Sequence, residues 1–131
     1  MSTVPDASLL VAAVADSGAA GRWAETIVGS GALAAPESVL AEATNILRRL
    51  ELGRELSPVE TAAALRDLVL LEIELFPFAP FAERVWQLRR NLTSYDAWYV
   101  ALAEELGSPL ATLDQRLARS SGPKCRFLVP G

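Results

Sequence analysis

The chain has 131 residues, 51% of them hydrophobic and 21% charged, which fits one domain over residues 1–131 built on a single core. That hydrophobic share excludes a disordered chain, and the interspersed charge excludes a membrane span. There is no histidine, which rules out Ser-His-Asp, Cys-His and zinc-histidine chemistry, and the lone Cys125 can form no internal disulfide, as suits a reducing cytoplasm.

Sixteen acids against twelve bases give a net charge of −4, which argues against broad, non-specific nucleic-acid binding. All the bases are arginines except Lys124, so cationic recognition would be almost wholly planar and bidentate. Only five acids are aspartates: Asp6, Asp16, Asp67, Asp96 and Asp114. The best candidate for a signal segment, Leu9 to Ala15, fails because the first basic residue is Arg22.

In chain order, residues 2–5 read as a first strand ending at Asp6, followed by helices over about 8–15 and 20–29. Pro5, with no N–H for a ladder, predicts a strand that is short or paired on one side. Ala32 to Ala35 reads as a second strand, with Pro36 suited to the first turn of a helix over 36–51 that ends near Gly53. Val39, Ala43, Ile46, Leu47 and Leu50 form its buried stripe. Ser57-Pro58-Val59-Glu60 is a capping box that opens a helix to about Leu70. Glu72 to Phe76 alternates as a third strand, and Ala82 to Arg90 reads as a helix. Thr93 opens a helix that stops at Gly107. Pro109 to Leu113, Asp114 to Arg119 and Arg126 to Val129 read as strand, short helix and strand. The alternation implies an α/β fold with a mostly parallel five-stranded sheet covered by helices on both faces.

In such a sheet ligands bind outside the carboxyl ends of the strands. Asp6 directly follows strand one and Asp114 strand four. Asp96 opens the helix that descends into strand four, and Glu42 lies early in the helix after strand two. Each could be an ordinary helix cap or a solvated residue. Asp96, however, shares its helical face with Tyr99, Val100 and Ala103, and Glu42 borders the apolar stripe. Carboxylates gathered at one edge need a counter-charge, and only Arg116 stands near. A hard divalent cation, Mg2+ foremost, is the better account.

The segments Pro5-Asp6-Ala7-Ser8, ESVLAEATNILRRL with Glu42, and LTSYDAWYVALAEELGSPLATLDQRLA with Asp96 and Asp114 resemble, in their order, a PIN domain, and more narrowly the VapC-type toxins of bacterial toxin–antitoxin pairs. The resemblance covers nearly the whole chain. It implies a Mg2+-dependent endoribonuclease with Asp6, Glu42, Asp96 and Asp114 as the acidic set, metal held by Asp6, Asp96 and Asp114, and Ser8 and Thr112 as supporting hydroxyls. It also implies a cognate antitoxin whose segment lies in a groove near the site, with Trp23, Leu47 and Leu50 as lining candidates, and a homodimer in the cytoplasm. A PIN nuclease of RNA processing or of DNA, and a catalytically silent PIN interaction module, are the alternatives.

Arg84, Arg89, Arg90, Arg116 and Arg119 flank the acidic segments and are candidates for RNA backbone contact, Arg116 foremost, with a solvated helix face as the plainer reading. Trp23, Trp86, Trp98 and the run from Phe76 to Phe81 read chiefly as core, with some of it exposed for a partner. Cys125 reads as a buried small apolar residue.

Overall fold

Two prolines shape the sheet. The computed structural model describes residues 2–131, and its first strand, β1 (Ser2–Pro5), lies at the centre of a five-stranded sheet. The others are β2 (Ala32–Pro36), β3 (Ile73–Phe76), β4 (Leu110–Ala111) and β5 (Phe127–Leu128), in spatial order β3-β2-β1-β4-β5. Every neighbouring pair is parallel.

β1 is short, as Pro5 requires, yet it pairs on both sides: Ser2 and Thr3 with β2, Val4 and Pro5 with β4. Successive residues of a strand point their N–H groups to opposite sides. Val4 and Asp6 donate to Pro109 and Ala111 on the β4 side, so the N–H that Pro5 lacks would face β2. Pro36 is the last residue of β2, in register with Phe76, and Glu37 donates to the Phe76 carbonyl. The donor missing from Pro36 therefore faces β1. Both absent donors fall on the β1–β2 seam just beyond the Thr3–Leu33 pair, and there that ladder ends while its neighbours run on.

Among the described residues, seven helices connect the strands: α1 (Ala7–Ala15), α2 (Ala19–Val28), α3 (Val39–Leu52), α4 (Pro58–Leu70), α5 (Ala82–Gln87), α6 (Ser94–Leu106) and α7 (Gln115–Ala118). The steps β1 to β2 to β3 run one way across the sheet, and the return from β3 to β4 runs the other. Right-handed crossovers then put α1 to α4 on one face and α5 and α6 on the opposite one. The packing agrees, with α1 against α2, α3 and α4, and α6 against β1, β2 and β4. Leu9, Leu10, Val39, Leu68, Val100, Leu102 and Leu110 are fully buried between these layers, each stabilising the fold by about 1.5–3 kcal/mol.

The expected stop signals act as read. Ser57 and Glu60 form both halves of a capping box, and α6 ends on Gly107 at φ 63°, a left-handed conformation that glycine adopts without strain.

Other expectations need correction. Pro36 does not open a helix: its fixed φ also suits an extended strand, and α3 starts three residues later, at Val39. The helix expected over 82–90 ends at Gln87 and is preceded by a 3-10 turn, Ala79–Phe81. β4 and β5 are two residues each, shorter than the runs 109–113 and 126–129. Glycine also matters where α1 meets α2: a Cβ on Gly21 would lie 1.7 Å from the Asp16 carbonyl oxygen.

Candidate active site

The chain steps from β1 to its left-hand neighbour but from β4 to its right-hand one. Between the carboxyl ends of β1 and β4 the connections diverge and leave a crevice. Asp6 and Asp114 stand at this point because each is the residue that turns its strand into the next helix. Both are N-caps. The Asp6 Oδ1 accepts from the Leu9 N–H at 3.0 Å, and the Asp114 Oδ1 accepts from the N–H groups of Arg116 at 2.9 Å and Leu117 at 3.2 Å. Capping explains why aspartate suits these positions; it does not explain the second contacts.

Those contacts bring Ser8 and Thr112 in. The Ser8 hydroxyl donates to Asp6 Oδ1 at 2.7 Å, and the fully buried Thr112 hydroxyl donates to Asp6 Oδ2. The same Thr112 oxygen accepts from the Asp114 N–H at 2.9 Å. One hydroxyl thus ties the exits of β1 and β4 together. Asp6 is only 8% exposed, and burial pushes its carboxyl above the usual aspartate value. Ser8, Thr112 and the Leu9 N–H pull it back down, and the charge of Asp114 adds to the rise.

Asp96 enters from the opposite face. Thr93 caps α6 by accepting from the Asp96 N–H at 3.2 Å, which sets the aspartate in the first turn. Its half-buried carboxyl is raised first by burial and then by the charges of Asp114, Asp6 and Glu42. Asp96 therefore feels the charge of all three other acids, and Asp6 that of Asp114. None of the influences on Asp6 or Asp96 comes from a basic side chain.

Glu42, half-buried on α3, is held at both oxygens. The Ser38 hydroxyl donates to Oε1 at 3.0 Å, and the Tyr99 hydroxyl donates to Oε2 at 2.7 Å. Neither hydroxyl stands out in the sequence as a site residue. For Tyr99 a signal existed: a ring on the inward face of α6, three residues after Asp96, must bring its polar tip to a partner.

The acids form a cluster with unbalanced charge, but not a closed cage. Among the described residues, no group of three or more Asp, Glu or Cys side chains is arranged to ligate a single ion. Asp6 spends both oxygens, and Asp114 one, on protein donors. The donor set is nonetheless all hard oxygen, and it lacks a counter-charge. That suits a hydrated Mg2+, which binds through one or two carboxylates and keeps several waters.

Of the arginines, Arg84 is committed elsewhere. It grips Glu104 at 2.7 and 3.0 Å and the Gly122 carbonyl at 3.0 Å, fastening the segment that leads to β5. Arg89 lies 4.5 Å over the Trp86 ring, and Arg90, Arg116 and Arg119 are exposed. Trp86, on α5, is 66% exposed and so belongs to the exposed part of the aromatic set rather than to the core. Trp23 and Trp98 are half-buried, and Phe78, partly exposed, meets Trp98 edge-on at 5.2 Å. Cys125 is only half-buried, with its thiol pushed up to about 11, mainly by burial.

A groove of about 460 Å³ opens beside the acids, lined by Ser8, Val11, Leu50, Leu56 and Leu113. Asp16, Glu55 and Glu60 give it an acidic rim. Of the three candidates for a groove lining, Leu50 lines this one, Leu47 lines a separate cleft between α3 and α4, and Trp23 lines neither.

A PIN domain family model matches residues 3–122 of this chain. Ribonuclease VapC1 of Mycobacterium tuberculosis is 41% identical over 125 residues, 95% of this chain and 94% of that protein. The crystal structure of PAE2754 from Pyrobaculum aerophilum superposes with a TM-score of 0.70 at 25% identity, covering 97% of this chain and 83% of that one. The crystal structure of VapBC2 from Rickettsia felis, bound to a DNA fragment from their promoter, superposes with a TM-score of 0.67 at 14% identity over 98% of both chains.

Proposed function

We propose, because this chain belongs to the PIN domain family, that it is an endoribonuclease of the VapC type, the toxin half of a toxin–antitoxin pair, which cuts RNA at the acidic cluster. The observation that carries this reading is the meeting of acids at the carboxyl edge of the sheet, where Asp96 lies within electrostatic reach of Asp6, Glu42 and Asp114 and no basic side chain acts on Asp6 or Asp96.

Asp6, Asp96 and Asp114 would hold Mg2+ or Mn2+, in part through water. Such an ion, when bound, offsets charge on the scissile phosphate and acidifies a water for attack. The chain's own residues prepare the edge for this. Ser8 and Thr112 fix both oxygens of Asp6, so its carboxylate is oriented before any ligand arrives. Asp96 and Asp114, both half-buried, keep an approach from solvent. Glu42, clamped by Ser38 and Tyr99, orients the attacking water. The exposed Arg116, whose N–H already binds Asp114, offers its guanidinium to a backbone phosphate.

The groove beside the acids suits an antitoxin segment with apolar anchors and a basic residue turned toward the cluster, since Leu50, Leu56 and Val11 are apolar and the rim is acidic. A homodimer working in the cytoplasm completes the reading; no helix among the described residues is long and apolar enough to cross a membrane.

The test is cleavage of total bacterial RNA by the purified chain in Mg2+. Cleavage should stop on addition of EDTA, and Asp96→Asn should abolish it while circular dichroism shows the fold retained. An Asp96→Asn protein that cuts at the parental rate refutes the reading.

A further inference from the structure

Tyr99 lies three residues after Asp96 on α6, with its ring almost wholly enclosed at 2% exposure. A phenylalanine would fill that space equally well. What the tyrosine adds is a hydroxyl, and a buried hydroxyl destabilises a fold unless it is bonded. Here its bond goes to Glu42 Oε2, at a length of 2.7 Å that suits a charge-assisted contact. The bond joins residues 57 apart in the chain. It also links α3 and α6, which stand on opposite faces of the sheet and meet only beyond its carboxyl edge.

The direction of the bond is fixed. Burial, first, and then the negative charges of Glu42, Asp6 and Asp96 hold the phenol well above its ordinary value, so it keeps its proton and donates. The other oxygen of Glu42 accepts from Ser38, which belongs to the same helical turn and can fix the carboxylate only relative to α3. Tyr99 fixes it relative to α6, and so relative to Asp96.

The geometry points to Tyr99 as a positioning residue for the ribonuclease reaction: through its hydroxyl it sets the Glu42 carboxylate in place against Asp96, and its loss slows turnover without weakening RNA capture. The inference rests on the endoribonuclease reading above. It assigns Tyr99 no contact with RNA.

The experiment compares Tyr99→Phe with the parent on a short synthetic RNA that spans a cleavage site mapped with the parent. The kcat should fall between about tenfold and a hundredfold, the loss that slight misplacement of a working group produces, with KM changed by less than about twofold. The melting temperature is measured alongside. In a Glu42→Gln background, Tyr99→Phe should cause no further loss, because the carboxylate it orients is gone. Equal losses in both backgrounds would mark a purely structural role and overturn the inference, as would a parental kcat. If Tyr99→Phe does not fold, Glu42→Asp decides. A carboxylate one methylene shorter keeps its charge but falls short of the Tyr99 hydroxyl, so kcat should fall with KM unchanged, and a parental kcat overturns the proposal. A parent that leaves RNA intact overturns the ribonuclease reading itself; a parent that cuts no faster than Tyr99→Phe overturns this inference alone.

Discussion

Replacing Thr112 with valine should be among the most damaging single-atom changes in this protein. The side chain keeps its shape and loses one hydroxyl, which is fully buried and makes two bonds. The first is to a carboxylate, and such bonds stabilise by about 1.5–3 kcal/mol. The second satisfies the Asp114 N–H at 2.9 Å; leaving a partly buried N–H unpaired costs about 1 kcal/mol. Together the loss should be about 2.5–4 kcal/mol, a large fraction of a small domain's stability. Urea unfolding at neutral pH measures it. The penalty should also depend on pH. The folded value of Asp6 is raised by burial, and the Thr112 bond works against that rise, so the variant raises it further. A raised acid destabilises the fold above its folded pKa and not below its unfolded one. The gap between parent and variant should therefore be widest at neutral pH and narrow as the pH falls through the raised Asp6 value. Thr112→Ser, which keeps the hydroxyl, should stay near the parent. A valine variant within about 0.5 kcal/mol of the parent would refute the claim that this hydroxyl ties β1 to β4.

Gly21→Ala should destabilise by about 2–3 kcal/mol or more in the same assay, because the new Cβ meets a backbone oxygen at 1.7 Å and α2 must move off α1 to admit it. A variant as stable as the parent would show that the two helices can separate freely. Asp96→Asn should raise the melting temperature in EDTA. Burial and the charges of Asp114, Asp6 and Glu42 raise the Asp96 carboxyl, so its ionised form opposes folding at neutral pH. The advantage of asparagine should fade as the pH drops through that raised value, and its persistence in acid would point to another cause.

The parts of this protein legible in the sequence were those with local causes. Ser57 and Glu60 announce a helix start by a pattern three residues long, and Gly107 announces a stop by the conformation only glycine takes easily. Asp6 and Asp114 could be placed together from strand order, because a parallel sheet delivers every strand exit to one edge, and Asp96 and Glu42 from the helices that begin there. What escaped was set at a distance. Pro36 has a fixed φ that serves a strand as well as a helix start, and only its register with Phe76 decides. Trp86 is apolar wherever it lies, and its exposure depends on which face of α5 the rest of the chain covers. Arg84 reads as one arginine among several until α6 brings Glu104 to it. Tyr99 was visible on the inward face of α6, but its partner sits on another helix.

The bond from Thr112 to Asp6 spans 106 residues, and β1 finds its second neighbour only when β4 has been made. An unfinished copy emerging from the ribosome would carry its first acid near the start, with neither the hydroxyl that orients it nor the last acid beside it. Such a fragment lacks part of the acidic set. If the acidic edge is where RNA is cut, the site is complete only once almost all of the chain has been translated.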